Sequence, residues 1–352
     1  MKRLLLYKIL MLLTIVGGVA CSTNTTSEGV KSSVIGIYVY DISDADLSMR
    51  ATPLQSVSDL TEFRVFAYDE DGAAYINNLQ AIYSDFVWGF SPEQYWTSGS
   101  LNFICYAPSS SDSNGMSVAS LGDNNLTISY LTPTDVTLQP DIVVATPVEC
   151  VEDGGVVEIE FSHKLSGVAL KIAGDSSVEV TSVTISGVHD SSTLSLDNDT
   201  YSWATPTTST SGLSYAMGLI DVASPQSSDE YTTVTAEDGY LMMLPQEIPT
   251  SATFTIAAKN SEGETVESVY SFGEGAEWVE GNIYIYSLLF EEQGEAIVFV
   301  DIEVIPWNEY IIDGDMLGGA ATPESDDSDG VLILPSQISV SGWKPNESTD
   351  LN

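Results

Sequence analysis

The sequence predicts an all-β protein built from two tandem β-sandwich domains. Short runs rich in β-branched and aromatic residues recur along the chain, and many of them alternate apolar with polar positions. Clusters of Gly, Pro, Asp, Asn and Ser separate these runs, and no long stretch has the 3.6-residue period of an amphipathic helix. With 352 residues, the chain is long enough to form two cores of ordinary size.

The charge of the chain excludes one class of partner. The sequence has 51 acidic and 10 basic residues, which gives a formal net charge of -41. Such a surface repels phosphate backbones, so the sequence predicts no nucleic-acid partner. We interpret the acidic surface as a solvated exterior, with calcium binding as the alternative.

The chain begins with a predicted signal peptide, residues 1–20. Basic residues at its start (Lys2, Arg3 and Lys8) precede an apolar run over 9–20. This run is too short to span a bilayer comfortably and ends in small residues, as signal peptides do.

Cys21 directly follows this segment. Gly18-Val19-Ala20 before it resemble the lipobox of a bacterial lipoprotein, although Leu is usual at the position of Gly18. We therefore predict that Cys21 is acylated, and simple secretion with an incidental cysteine is the alternative. The polar residues 22–29 that follow are typical of a flexible tether.

Strand-like runs begin at residue 33 and continue to residue 307. The first is "SVIGIYVY", residues 33–40, and it lies in the predicted segment 21–50 between the lipidated cysteine and the first domain. A composition break over 146–155 separates a predicted N-terminal sandwich from a C-terminal one. The later runs are 63–68, 101–107, 126–131, 140–145, 156–163, 167–174, 178–187, 240–245, 252–259, 267–273, 282–290 and 296–307. The predicted domains are 51–149 and 150–310, followed by a tail over 311–352.

The chain contains only three arginines, and one of them is predicted to be accessible to a protease. Arg3 belongs to the signal peptide, and Arg64 lies inside a strand-like run. Arg50 lies in a polar stretch of small residues between the first predicted strand and the first domain, where an exposed loop is expected. An ordinary surface arginine in a linker is the alternative interpretation.

The tail combines a linker with an isolated apolar segment. Residues 314–330 are rich in Gly, Ser and Asp, and residues 331–343 read "VLILPSQISVSGW". An apolar strand at the end of a tether has to be buried somewhere, because in water it would promote aggregation.

The residues show no catalytic or metal-binding motif, so we predict neither an enzyme nor a cofactor. His163 and His189 are far apart in sequence, and no CxxC pair is present. Cys105 and Cys150 either pair or remain free thiols. A glycosidase has no specific support among the many carboxylates. The six tryptophans mostly fall at the ends of predicted strands. We expect their side chains to cap a sandwich core; the alternative is that they are exposed and stack against sugar rings.

Several segments, taken in order, resemble the fimbrillin family, the subunits of type V pili in Bacteroidales. Together they span roughly residues 60–308. They read "TEFRVFAYDEDG", "YWTSGSLNFICYAPSS", "LQPDIVVAT", "VEIEFSHKLSGVALKI", "LMMLPQEI", "EWVEGNIYIYSLLF" and "IEVIPWNE".

This resemblance implies transthyretin-like sandwiches and assembly by strand exchange. Family members reach the outer membrane as lipoprotein precursors, and an Arg-specific surface protease removes the N-terminal segment with its first strand. A C-terminal strand from another fimbrial subunit, identical or related, then fills the groove, and the subunit becomes part of an extracellular fimbrium.

Carried onto this chain, the resemblance places cleavage between Arg50 and Ala51. It implies that the released strand contributes Ile35, Ile37 and Val39. The implied donor strand contributes Val331, Ile333, Ile338, Val340 and Trp343. The alternative function is a monomeric surface lipoprotein that binds glycans or host proteins. The position in the fimbrium, as stalk, anchor or tip, and the receptor stay open.

Overall fold

The computed structural model confirms the all-β prediction. It contains 24 strands and a single 3₁₀ turn, Val136–Leu138, among the residues that it describes. In this part of the chain, no helix is long and apolar enough to cross a membrane. The described residues are 33–39, 60–84, 87–122, 125–151, 156–174, 179–197, 199–208, 214–217, 232–233, 241–259, 262–291 and 296–306.

The first eleven strands form most of the N-terminal half. They are β1 (Ile37–Val39), β2 (Phe63–Asp69), β3 (Ala74–Ser84), β4 (Val87–Phe90), β5 (Leu101–Ala107), β6 (Met116–Gly122), β7 (Asn125–Leu131), β8 (Val143–Ala145), β9 (Val148–Cys150), β10 (Val157–Ile159) and β11 (Phe161–His163).

The remaining thirteen strands form the C-terminal half. They are β12 (Ser166–Gly174), β13 (Glu179–Ser186), β14 (Ser191–Asp197), β15 (Thr200–Trp203), β16 (Ser214–Ala216), β17 (Thr232–Thr233), β18 (Leu241–Met243), β19 (Gln246–Glu247), β20 (Thr253–Lys259), β21 (Thr265–Ser271), β22 (Glu277–Trp278), β23 (Asn282–Glu291) and β24 (Ala296–Pro306).

A nine-stranded sheet folds around the N-terminal core. Its order is β10-β1-β4-β3-β2-β5-β8-β11, and β9 also pairs with β5. The alternating apolar residues of these strands point to one side and pack together, with Phe63, Trp88 and Phe103 among the buried side chains. The sheet therefore has β1 as an internal member, between β4 and β10.

Two sheets face each other in the C-terminal half. One has the order β17-β12-β23-β24, with β18 also on β12, and the other has the order β16-β13-β20-β21. Between them lies a core rich in aromatic residues, in which the Trp278 indole donates a hydrogen bond to the Tyr286 hydroxyl at 2.9 Å. Burial raises the pKa of Tyr286, so this hydroxyl stays protonated.

A third core connects the two halves. The sheet β15-β14-β7-β6 combines strands from both sides of the predicted boundary at 149/150, because β14 pairs with β7. It packs with Ile104 of the N-terminal sheet and Ile283 of the C-terminal one. In addition, β10 and β11 follow that boundary in sequence but pair within the N-terminal sheet. By covering the edge of the β6–β7 hairpin, β14 buries apolar surface that a hairpin alone would leave in water.

Gly115, in the turn before β6, tests how closely this turn packs against the end of β7. Its φ is +70°, and a Cβ placed there would lie 2.0 Å from the carbonyl oxygen of Leu131. We expect Gly115→Ala to lower the free energy of unfolding by about 2–4 kcal/mol, since it combines a left-handed backbone with a clash against backbone. Gly89→Ala is the matched control, because a Cβ there meets nothing within 4 Å. Equal denaturant midpoints for the two variants would contradict this packing.

Candidate functional site

The first strand is held between two strands that lie far from each other in sequence. β1 runs parallel to β10, with Ile37 opposite Val157 and Val39 opposite Ile159, and antiparallel to β4, with Ile37 opposite Trp88. We call the groove between β4 and β10 that residues 33–39 fill the β1 slot.

Backbone hydrogen bonds fix the segment on both sides of the β1 slot. The Ile35 N–H donates to the Gln94 carbonyl at 2.8 Å, and the Trp96 N–H donates to the Ser33 carbonyl at 3.0 Å. On the opposite side, the Val157 N–H donates to the Gly36 carbonyl at 2.9 Å. The segment is therefore paired along both of its edges, as an internal strand is.

The side chains of this segment alternate between the core and the solvent. Ile35 and Ile37 are 0% exposed and Val39 is 7% exposed, and all three belong to the N-terminal core. Val34 and Tyr38, on the other face, are 46% and 50% exposed. The three residues that the family resemblance implies for a released strand thus fill the interior of the sandwich, while their release stays a prediction.

Two tryptophans line the β1 slot. Trp88 and Trp96 are 2% and 4% exposed. The Trp88 ring lies 4.9 Å from that of Phe63, and the Trp96 ring lies 5.8 Å from that of Phe103. Neither indole N–H finds a hydrogen-bond partner among the described residues. The two tryptophan side chains therefore contribute to the β1 slot by apolar packing, in addition to the backbone hydrogen bonds that hold residues 33–39.

Arg64 lies in an internal strand, where a protease cannot reach its peptide bond. It lies in β2, opposite Gln80 of β3 on one side and Tyr106 of β5 on the other. Its Nε donates to the Ser109 hydroxyl at 2.7 Å, and its Nη1 donates to the Asn78 carbonyl at 3.3 Å. This confirms the prediction that Arg64 is part of a hydrogen-bonded strand. Its peptide bond would become accessible only if the centre of the sheet opened.

The other predicted site residues lie outside the described residues. These are Cys21, Arg50 and Ala51 before β2, and Val331, Ile333, Ile338, Val340 and Trp343 after β24. Lipidation, cleavage and strand donation therefore stay predictions.

Sequence reasoning did not identify the walls of the β1 slot. β10 follows β1 by more than a hundred residues, and Trp88 and Trp96 were interpreted only as core residues. The available signal was the alternation in residues 156–163, which places Val157, Ile159 and Phe161 on one face of a strand. Alternation alone does not say which strands become neighbours.

His163 and Cys105, which the sequence analysis considered as possible site residues, have ordinary structural environments. The Nδ1 atom of His163 lies 3.0 Å from a carboxylate oxygen of Asp141. Cys105 is a free, fully buried thiol, so it does not pair with Cys150, and burial raises its pKa. Among the described side chains, no group of three or more His, Cys, Asp or Glu residues is arranged to hold a metal ion.

The tryptophans favour the core interpretation over sugar stacking. Trp88, Trp96 and Trp278 are buried, and Trp203 is partly buried, with its indole N–H donating to the Lys164 carbonyl at 2.7 Å. Trp307, like Trp343, lies outside the described residues.

Comparisons with known proteins agree with this architecture. A family model described as fimbrillin-like matches residues 50–307. A search of curated proteins finds no match. Among solved structures, the chain is similar to a fimbrial protein from Bacteroides vulgatus, with a TM-score of 0.56, 16% identity and coverage of 78% of this chain and 99% of that one.

Two further solved structures share the fold. One is a candidate cell adhesion protein from Bacteroides uniformis, with a TM-score of 0.53, 14% identity and coverage of 78% of this chain and 98% of that one. The other is a candidate cell adhesion protein from Bacteroides ovatus, with a TM-score of 0.51, 19% identity and coverage of 80% and 100%. Because the family model matches most of its length, the chain belongs to the fimbrillin-like family.

Proposed function

We propose that this chain is a fimbrial subunit that polymerises by exchanging β1 for a strand of a neighbouring subunit. Membership of the fimbrillin-like family gives it a fimbrial and adhesive role at the cell surface, together with other fimbrial subunits. In the proposed sequence of events, a lipid on Cys21 anchors the precursor in the outer membrane. An Arg-specific surface protease then cuts between Arg50 and Ala51, and residues 331–343 of another subunit fill the emptied slot.

The observation that carries this proposal is the placement of β1. Its inward side chains complete the N-terminal core, yet the chain connects β1 to β2 only through residues 40–62, which include Arg50. A cut after Arg50 breaks this peptide connection. Arg64, the next arginine along the chain, is protected inside the sheet.

The extent of the family match supports the same division of the chain. It begins at residue 50 and ends at residue 307. The matched part therefore begins at the proposed cleavage site and ends before the Gly/Ser/Asp-rich linker over 314–330. The two segments that are proposed to exchange lie on either side of it.

An emptied β1 slot is energetically unfavourable, and a replacement strand would stabilise it. Ile35, Ile37 and Val39 are almost completely buried, and burial of such side chains contributes about 1.5–3 kcal/mol each. Their departure also uncovers Trp88 and Trp96 and leaves unpaired backbone groups on β4 and β10. Exposed apolar surface with free strand edges is a template for another strand.

The C-terminal segment has the chemistry of such a replacement. Residues 331–343 contain no charged side chain, although the chain carries a net charge of -41. The five residues assigned to the donor strand, Val331, Ile333, Ile338, Val340 and Trp343, would contribute on the order of 10 kcal/mol on burial, before the entropic costs of association. From its Gly/Ser/Asp-rich composition, the linker over 314–330 is expected to span about 20–25 Å, which would let the segment reach a neighbouring molecule.

Donation of this kind leads to a filament. The donor segment and the β1 slot are different surfaces of the same chain, so each contact leaves a free slot at one end and a free donor at the other. Heterologous contacts that do not close into a ring continue as open chains. A fimbrium is such a chain.

A reversible lock on β1 tests the exchange. Tyr38 and Glu158 are opposite one another in β1 and β10, and both point to the solvent. Neighbouring strands are about 4.8 Å apart, which is within the range of a disulfide. We expect the oxidised Tyr38→Cys/Glu158→Cys variant to be cleaved at Arg50 but to form at least tenfold less polymer, and we expect reductant to restore assembly.

The single variant Glu158→Cys is the control, since it cannot form the lock. It should polymerise like the unmodified chain, and the buried Cys105 thiol should not compete for oxidation. Polymerisation of the oxidised double variant at the normal level would show that β1 does not have to leave the slot.

A further inference from the structure

The β1 slot sets a pattern that any replacement strand has to meet. Three alternate positions, those of Ile35, Ile37 and Val39, face the core. The positions between them face solvent, as Val34 and Tyr38 do. The segment starts with a polar residue, Ser33, whose backbone carbonyl accepts a hydrogen bond from the Trp96 N–H.

The C-terminal segment repeats most of this pattern with a constant offset: it matches the first two core positions, and Gly342 corresponds to the third one, Val39. Residues 33–40 read S-x-I-x-I-x-x-Y, and residues 336–343 read S-x-I-x-V-x-x-W. Ser336 corresponds to Ser33, Ile338 to Ile35 and Val340 to Ile37. The aromatic residue at the end, Trp343, corresponds to Tyr40.

The solvent-facing positions are more polar in the C-terminal segment than in β1, as expected of a strand that remains in the slot. Gln337, Ser339 and Ser341 correspond to Val34, Gly36 and Tyr38. The two exposed apolar side chains of β1 are thus replaced by polar ones that hydrate readily. Polar residues on the solvent face with apolar ones inside are the normal pattern of a strand in a sandwich.

A shift by two residues fits less well. It would place Ile338 at Ile37 and Val340 at Val39, but Ser336 would then occupy the fully buried position of Ile35. A buried hydroxyl that replaces an apolar side chain is unfavourable unless it is hydrogen-bonded. Pro335 would also enter the paired part of the segment, where Val34 bridges Tyr95.

The reversed direction is unfavourable for the same reason. It would place Ser336 at the apolar position of Val39, next to Ile159. It would also replace the parallel pairing with β10 by an antiparallel one. Only the direction of β1 keeps the serine at a position where the slot already accepts one.

We infer that the donor segment enters the β1 slot of the next subunit in the direction of β1, with Ser336 at the position of Ser33. Ile338 and Val340 then occupy the positions of Ile35 and Ile37, and Ser341 lies beside Glu158 of the receiving subunit. This inference rests on the strand exchange proposed above, and it specifies the register that selects the partner's strand.

Cysteine cross-linking between subunits tests the register. Glu158→Cys is combined in the full chain with a cysteine at one outward donor position, 337, 339 or 341. Because Tyr38 is opposite Glu158, the inferred register places residue 341 at disulfide distance. Residues 339 and 337 lie about 7 and 13 Å further along the strand. We expect Ser341→Cys to give at least tenfold more cross-linked subunit ladder than Ser339→Cys or Gln337→Cys.

The possible outcomes distinguish an error in the register from an error in the strand-exchange proposal. A dominant cross-link from position 339 or 337 would overturn the register while leaving strand exchange intact. Normal polymer without any cross-link from these positions would show that the segment does not occupy the slot beside β10, and both proposals would fail. The intramolecular Tyr38→Cys/Glu158→Cys disulfide shows independently that the geometry at residue 158 permits the bond.

Discussion

Arg50→Ala is expected to stop assembly at the precursor stage. An Arg-specific protease then has no accessible site between β1 and β2, because Arg64 is held in the centre of the sheet. β1 stays connected to the body and fills its slot, so no donor strand enters. We expect at least a tenfold loss of surface polymer, with the subunit accumulating as a monomer that retains residues 33–39, as measured by immunoblotting of unboiled samples.

Two conservative variants show that the effect comes from cleavage. Arg50→Lys keeps the charge but removes the site for an Arg-specific protease, so it should behave like Arg50→Ala. Arg64→Lys keeps a cation next to Ser109 and should leave both cleavage and polymer unchanged. Normal polymer from Arg50→Ala would contradict the role of this residue, and loss of polymer from Arg64→Lys would place the cut elsewhere.

The second large effect is expected from the donor segment. Ile338→Asn/Val340→Asn places two amides at positions that face the core of the receiving subunit. Each substitution loses about 1.5–3 kcal/mol of apolar burial and adds the cost of burying a polar group. Since about 1.4 kcal/mol corresponds to a factor of ten, we expect at least a hundredfold weaker association. Cleavage at Arg50 should be normal, and mature monomers should accumulate.

The matched control changes the same residue type on the other face. Ser339→Asn/Ser341→Asn adds two amides that point to solvent in the inferred register, so polymer should form as usual. Equal loss of polymer from both pairs would show that the segment does not enter the slot as an alternating strand. Normal polymer from Ile338→Asn/Val340→Asn would show that residues 331–343 are not the donor.

The parts of the fold that depend on local pattern could be predicted from the sequence. The alternation in residues 33–40 is enough to predict a strand with Ile35, Ile37 and Val39 on its buried face, because the side-chain period of a strand is two. The burial of Trp88 and Trp96 could also be predicted, because both lie at the ends of predicted strands, where tryptophan side chains commonly cap a core. Arg64 was identified as a strand residue from the apolar and aromatic residues on either side of it.

The parts that depend on long-range pairing could not be predicted. The parallel pairing of β1 with β10 joins segments more than a hundred residues apart, and the pairing of β14 with β7 crosses the predicted domain boundary. Many apolar strands of similar length and pattern compete for each such neighbour position. Shape and packing in three dimensions decide among them, and a single sequence does not display these.

The N-terminal sequence and mass of the subunits in purified fimbriae test the proposed exchange most directly. We expect the assembled subunits to begin at Ala51, to lack residues 33–39 and to retain residues 331–343. Assembled subunits that begin at Cys21 and still contain Ile35, Ile37 and Val39 would show that fimbriae form with β1 in place, and this result would contradict the exchange.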